Sequence, residues 1–221
     1  MASVQIDDEA VLWSASAADR AGRPLLLLLH GYNSNEGDLF GLAPYLPLSP
    51  AVASLRAPTF TGYGHAWFPL TNEGVGFSIE GADAAVTAIL EWLDRVAPDT
   101  SSVGLLGFSQ GGAMAIELLR RAPERFAFVV SLAGFALPGD RAGDKRMSEL
   151  LPPVFWGRGT VDEVIPAASV ARTQAWLPAH SSLDERIYEG LGHSVSELEL
   201  ADAAAFLAER YSAPPVTPPV E

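Results

Sequence analysis

The chain has 221 residues, 48% of them hydrophobic and 19% charged, which suits one folded domain with a substantial core. Its 14 Lys and Arg against 27 Asp and Glu give a net charge of −13, a surface that repels nucleic-acid phosphates and anionic membranes alike. The absence of cysteine excludes disulfides, thiolate metal sites and a cysteine nucleophile.

The opening residues, Met1 to Glu9, are acidic and lack the basic start and apolar centre of a secretory signal. The most apolar early run, Pro24 to Leu29, is far too short to cross a bilayer. The default expectation is a cytoplasmic protein with no stable membrane association and no nucleic-acid partner.

In chain order, residues 10–16 read as an edge strand, with residues 3–6 as a possible partner. Leu25 to Leu29 has no polar alternation, as a strand covered by helices on both faces requires. It runs into the polar loop His30-Gly31-Tyr32-Asn33-Ser34-Asn35, at the edge where open α/β sheets place their ligands. A short helix is expected over 38–46 and a second buried strand over 51–55. The stretch from Arg56 to Gly76 is long and aromatic, which favours an ordered, functional loop over disorder. Ala85, Ile89, Trp92 and Val96 share one side of a helix over 79–96, closed by Ala97-Pro98.

A strand over 103–106 enters Gly107-Phe108-Ser109-Gln110-Gly111-Gly112, and a helical run follows to Arg121. Further strands are expected over 126–132, 153–157 and 186–189, a charged loop over 139–149, and helices over 167–177 and toward 210. Alternating strands and helices predict a mostly parallel sheet with helices on both faces, wound by right-handed crossovers. Residues 1–211 read as one such domain, with no large cap. Residues 212–221 form a proline-rich tail.

Glycines two residues either side of Ser109 let a strand reverse sharply into a helix with one hydroxyl at the apex. A serine hydroxyl needs a base to act as a nucleophile, and the base needs an acidic partner to orient it. Asp162 follows one later strand and His193 follows the last. Ser, Asp, His is the chain order of serine hydrolysis on an α/β sheet. Taken singly, Asp162 fits an exposed turn carboxylate and His193 a surface or capping histidine; the argument lies in the conjunction. Of the other histidines, His30 suits a structural place in its loop, His65 lies in the aromatic loop and His180 at a helix end. Backbone amides would form the oxyanion hole, one at Gln110 and the other in the loop after Leu29, at Tyr32. Asn33 either adds a donor or only holds that turn. Phe60, Trp67, Phe68, Phe135 and Leu137 are candidates for an acyl or alcohol pocket, with ordinary packing as the alternative for each. Zinc-ligand spacing and a dinucleotide fingerprint are both missing, so no metal and no cofactor are expected.

The chain resembles the phospholipase/carboxylesterase family of α/β-hydrolases, which includes acyl-protein thioesterases and small bacterial carboxylesterases. The likeness rests on Leu29-His30-Gly31 with its polar loop, Gly107 through Gly112, Gly157 through Pro166, and Gly192-His193-Ser194. It implies a triad of Ser109, Asp162 and His193, with Gln110 closing the oxyanion hole. It also implies a cofactor-free esterase for small esters with short or medium acyl chains, either monomer or homodimer. Thioester or lysophospholipid hydrolysis is the alternative, and a non-catalytic binding module is a third reading, disfavoured by intact machinery. Departures stand at Ala133, where relatives carry serine, and at Trp156-Gly157-Arg158, where many have a histidine nearby. The loop over 56–76 matches the family only in outline.

Overall fold

A computed structural model describes residues 4–47, 49–70, 77–97, 100 and 102–212. The strands are β1 (Leu12–Trp13), β2 (Leu25–Leu29), β3 (Ala51–Leu55), β4 (Thr59–Phe60), β5 (His65–Ala66), β6 (Val103–Phe108), β7 (Phe128–Leu132), β8 (Pro153–Gly159) and β9 (Ser182–Tyr188). The helices are α1 (Ala17–Arg20), α2 (Glu36–Phe40), α3 (Ile79–Val96), α4 (Gln110–Arg121), α5 (Asp144–Leu150), α6 (Ala167–His180) and α7 (Glu197–Ser212). Seven strands make one sheet in the order β1-β3-β2-β6-β7-β8-β9. β1 alone runs antiparallel to its neighbour, and every other pair in that sheet is parallel. This is the mostly parallel sheet expected from the alternation of strands and helices, in the α/β-hydrolase arrangement that the resemblance implies.

The leucine run of β2 explains how the layers form. Side chains alternate across a strand, so Leu25, Leu27 and Leu29 pack beneath α3 and α4, while Leu26 and Leu28 join the core under α2 and α7. Both sets are almost wholly buried. Helix α3 buries Ala85, Ile89, Trp92 and Leu93 along one face, and the Ser78 hydroxyl caps its start by accepting the Gly81 N–H.

Several elements differ from the sequence reading. The edge strand shortens to Leu12–Trp13 and pairs with β3, with no strand over residues 4–6. The expected loop over 139–149 holds helix α5, which buries only Met147 and so shows no apolar stripe. Ion pairs hold it instead: Arg120 of α4 binds Asp144, Glu117 and the Leu137 and Gly139 carbonyls. Strand β9 begins at Ser182 because it is an edge strand whose Asp184, Glu185 and Arg186 face partly outward. Helix α6 passes Pro178 and ends at His180, where His180 Nδ1 donates to the Trp176 carbonyl and the Ser181 hydroxyl to that of Leu177. The aromatic loop contains the small β4–β5 hairpin. Its residues 71–76 lie outside the described residues, as do Pro98 and the tail from Ala213 onward.

Candidate active site

Strand β6 ends at Phe108 and α4 begins at Gln110, leaving Ser109 to make the whole reversal at φ 55°, ψ −117°. A non-glycine residue seldom adopts such a conformation, which persists only when its surroundings hold it. Here the Ser109 N–H donates to the Leu132 carbonyl at 2.8 Å and its own carbonyl accepts from Ala113. The flanking glycines are required by space. A Cβ on Gly107 would come 2.1 Å from the Gly111 carbonyl oxygen, and one on Gly111 would come 1.8 Å from that of Leu29.

The Ser109 hydroxyl is not spent on capping α4. It lies 2.9 Å from His193 Nε2, and His193 Nδ1 lies 2.8 Å from Asp162 Oδ2. A carboxylate only accepts, so the neutral imidazole donates from Nδ1 to Asp162 and accepts the serine proton at Nε2. The other Asp162 oxygen accepts the N–H groups of Val164 and Ile165, at 2.8 and 3.1 Å, fixing the carboxylate's angle. The Phe108 ring packs 4.9 Å from the imidazole, centre to centre. Three side chains from the ends of β6, β8 and β9 thus meet at one edge of the sheet.

Around them, the loop after β2 passes close to Ser109: a Cβ on Gly31 would stand 3.6 Å from Ser109 Cβ. Tyr32, next in that loop, has a half-exposed side chain, and its backbone N–H is the candidate for the oxyanion site. The Gln110 amide begins α4, where first-turn N–H groups have no partner within the helix. Asn33, in the left-handed region at φ 61°, accepts from the Thr61 hydroxyl at 2.5 Å. Its side chain therefore serves the turn and ties it to the hairpin. His30 is fully buried, donating from Nδ1 to the Gly31 carbonyl and accepting the Ala57 N–H at Nε2. Burial pushes its pKa down and keeps it neutral.

The pocket candidates divide by burial. Trp67, Phe68, Phe135 and Leu137 are at most 2% exposed and belong to the main core. Phe60 sits on the outward hairpin, exposed. Aromatic composition signals an ordered loop but does not say which way each ring faces. Trp67 instead locks the loop: its indole N–H donates to the His30 carbonyl at 2.8 Å.

A family model described as phospholipase/carboxylesterase matches residues 14–210. The chain belongs to the phospholipase/carboxylesterase family. Acyl-protein thioesterase 1 of Kluyveromyces lactis is 26% identical over 221 residues, covering 88% of this chain and 95% of the relative. Esterase YpfH of Escherichia coli is 27% identical over 213 residues, covering 89% of this chain and 86% of the relative. The crystal structure of the Bacillus cereus carboxylesterase has the same fold, with a TM-score of 0.78 at 22% identity over 90% of this chain and 93% of that one. No helix among the described residues is long and apolar enough to cross a membrane.

In this phospholipase/carboxylesterase chain, one important side chain escaped the sequence reading, which used Gln110 only for its backbone. The buried Gln110 amide accepts the Trp67 N–H and donates to the Phe68 carbonyl, each at 2.8 Å. It pairs with the loop as a neighbouring strand would. A polar residue directly after Ser109, in an otherwise apolar helix start, was the available signal.

Proposed function

We propose that this chain is a serine carboxylesterase that hydrolyses short- to medium-chain carboxylic esters through an acyl-enzyme on Ser109. The observation that carries the reading is the unbroken hydrogen-bonded row from Ser109 through His193 to Asp162 at a strained strand-to-helix turn. His193 Nε2 takes the hydroxyl proton as Ser109 Oγ bonds to the ester carbonyl carbon, and Asp162 stabilises the imidazolium that forms. The carbonyl oxygen, now an alkoxide, is held by the amides of Gln110 and Tyr32, where one donor contributes about 3 kcal/mol of transition-state stabilisation. As the intermediate collapses, the bond to the leaving oxygen breaks and His193 returns its proton to the departing alcohol. Water then gives a proton to His193, attacks the acyl carbon and frees the acid, restoring the Ser109 hydroxyl.

Replacing Ser109 by alanine and assaying a short p-nitrophenyl ester tests this. Turnover should fall by more than about a thousandfold, and labelling by a fluorophosphonate should disappear. A well-folded variant with native turnover would reject the reading.

A second reading, thioester hydrolysis, is favoured by relatives named acyl-protein thioesterase. The same groups serve both reactions, because a thioester carbonyl forms the same tetrahedral oxyanion. Rates on matched ester and thioester pairs decide between them.

A further inference from the structure

Between β8 and α6 lies a cavity of about 540 Å³ that the mechanism above does not use. Its helical wall is Ala167, Val170, Ala171 and Gln174, whose i, i+3, i+4, i+7 spacing puts them on one face of α6. Three of those four side chains are small, so the helix does not fill the space above the sheet. The opposite wall is Trp156 and Arg158 of β8. The cavity adjoins the reacting end twice. Asp162 lines it and is bonded to His193; Ala133 lines it and follows Leu132, whose carbonyl holds the Ser109 N–H.

Arg158 is the one cation among the described residues lining the space. Its guanidinium lies 5.2 Å from the Trp156 ring centre and donates from Nη2 to Glu185 at 3.3 Å. Among the described residues its buried Nε has no hydrogen-bond partner. A guanidinium has five N–H donors in a planar fork, and this one commits a single long bond. The acidic groups nearby do not consume the rest. Asp162 is engaged by His193 and two backbone amides, and Glu163 stands exposed at the rim.

We propose that this cavity receives the end of the acyl group remote from the scissile carbonyl, and that Arg158 selects substrates carrying a carboxylate there. The substrate class is the half-ester of a short dicarboxylic acid. This rests on the esterase reading of Ser109 and narrows its substrate. A carboxylate would accept from Nη1, the guanidinium nitrogen that is neither buried nor bonded to Glu185, with its methylene chain against the small residues of α6. Arg158 is paired with Glu185, and Asp162 and Glu163 line the same cavity, so an anionic substrate is accepted only where its carboxylate meets the guanidinium directly.

The test compares the p-nitrophenyl half-ester of glutaric acid with the p-nitrophenyl ester of valeric acid, which has the same acyl length and no charge. The native enzyme should hydrolyse the half-ester with at least the kcat/KM of the valerate. Arg158→Gln should lower the ratio of the two about tenfold or more, and Arg158→Lys should restore part of it. Ala171→Phe, which fills the space from the helix side, should raise KM for the half-ester and serves if Arg158→Gln does not fold. An unchanged ratio in Arg158→Gln, or an unchanged half-ester KM in Ala171→Phe, overturns the proposal. Fluorophosphonate labelling of native Ser109 separates the two failures: without labelling the esterase reading fails, while with labelling and an unmoved ratio only the subsite does.

Discussion

Gly111 and Leu29 approach so closely that no side chain fits between them. The first turn of α4 lies against the end of β2, and a Cβ on Gly111 would overlap the Leu29 carbonyl at 1.8 Å. Neither backbone can yield cheaply, because β2 is paired on both sides and α4 is buried from Gln110 to Arg120. Gly111→Ala should therefore push α4 away from the sheet and displace Ser109 from His193. Loss of fluorophosphonate labelling together with a lowered melting temperature is the expected outcome. Native labelling would show that the contact relaxes without cost.

The Gln110 side chain predicts a separable effect. Gln110→Ala keeps the backbone N–H proposed for the oxyanion but leaves the Trp67 N–H and Phe68 carbonyl, both buried, without their partner. An unsatisfied buried polar group costs about 1–3 kcal/mol. Denaturant unfolding should register a loss in that range. Ester turnover should fall as well, since the loop over 57–68 is anchored on the helix that Ser109 leads into. Gln110→Glu should be as damaging, because a carboxylate cannot donate to Phe68.

Asp162→Asn is a test of tautomer. An asparagine can keep the position while presenting an N–H toward His193 Nδ1, which forces the imidazole proton onto Nε2 and blocks proton acceptance from Ser109. The equivalent change in a serine protease lowers kcat by about 10⁴ with geometry intact. A comparable fall at neutral pH is expected, with unfolding behaviour close to native. A fall of tenfold or less would place the catalytic base elsewhere.

How much of this was legible before the structure depends on which force set each feature. Leu25–Leu29 and the α3 face announced themselves because burial dictates their pattern. Ser109, Asp162 and His193 could be singled out because each ends a strand, and strand ends of a parallel sheet converge on one edge. Helix α5 could not, since its stability comes from Arg120 and Asp144, partners distant in sequence. Burial works against the Arg120 charge, and Asp144 and Glu117 more than offset that, holding its pKa up. The orientation of Trp67, Phe68 and Phe135 was equally hidden: an aromatic ring suits a pocket wall and a core alike, and tertiary packing decides. The wall of Arg158 opposite α6 needed coordinates, because it joins two elements through the size of side chains that fail to meet.

Glu199, in the first turn of α7, is 1% exposed, and among the described residues its carboxyl oxygens have no hydrogen-bond partner. It lies against Gly157 of β8, where a Cβ would come 2.3 Å from Oε1. Burial raises its pKa to about 7; the Ser196 backbone pulls downward and the Asp202 charge adds to the rise. In the unfolded chain the group titrates near 4.5. The folded state thus holds the proton over a range where the unfolded state has released it. Stability should therefore decline as pH rises from about 4.5 to about 7 and level off above, by an amount on the order of a few kcal/mol. Glu199→Gln keeps the shape and removes the titration. Its unfolding free energy should exceed the native value above pH 7 and converge with it near pH 4.5. Urea unfolding of both proteins across that interval checks the sign. A native curve that climbs over the interval and is matched by the variant would mean that Glu199 stays ionised in the folded state.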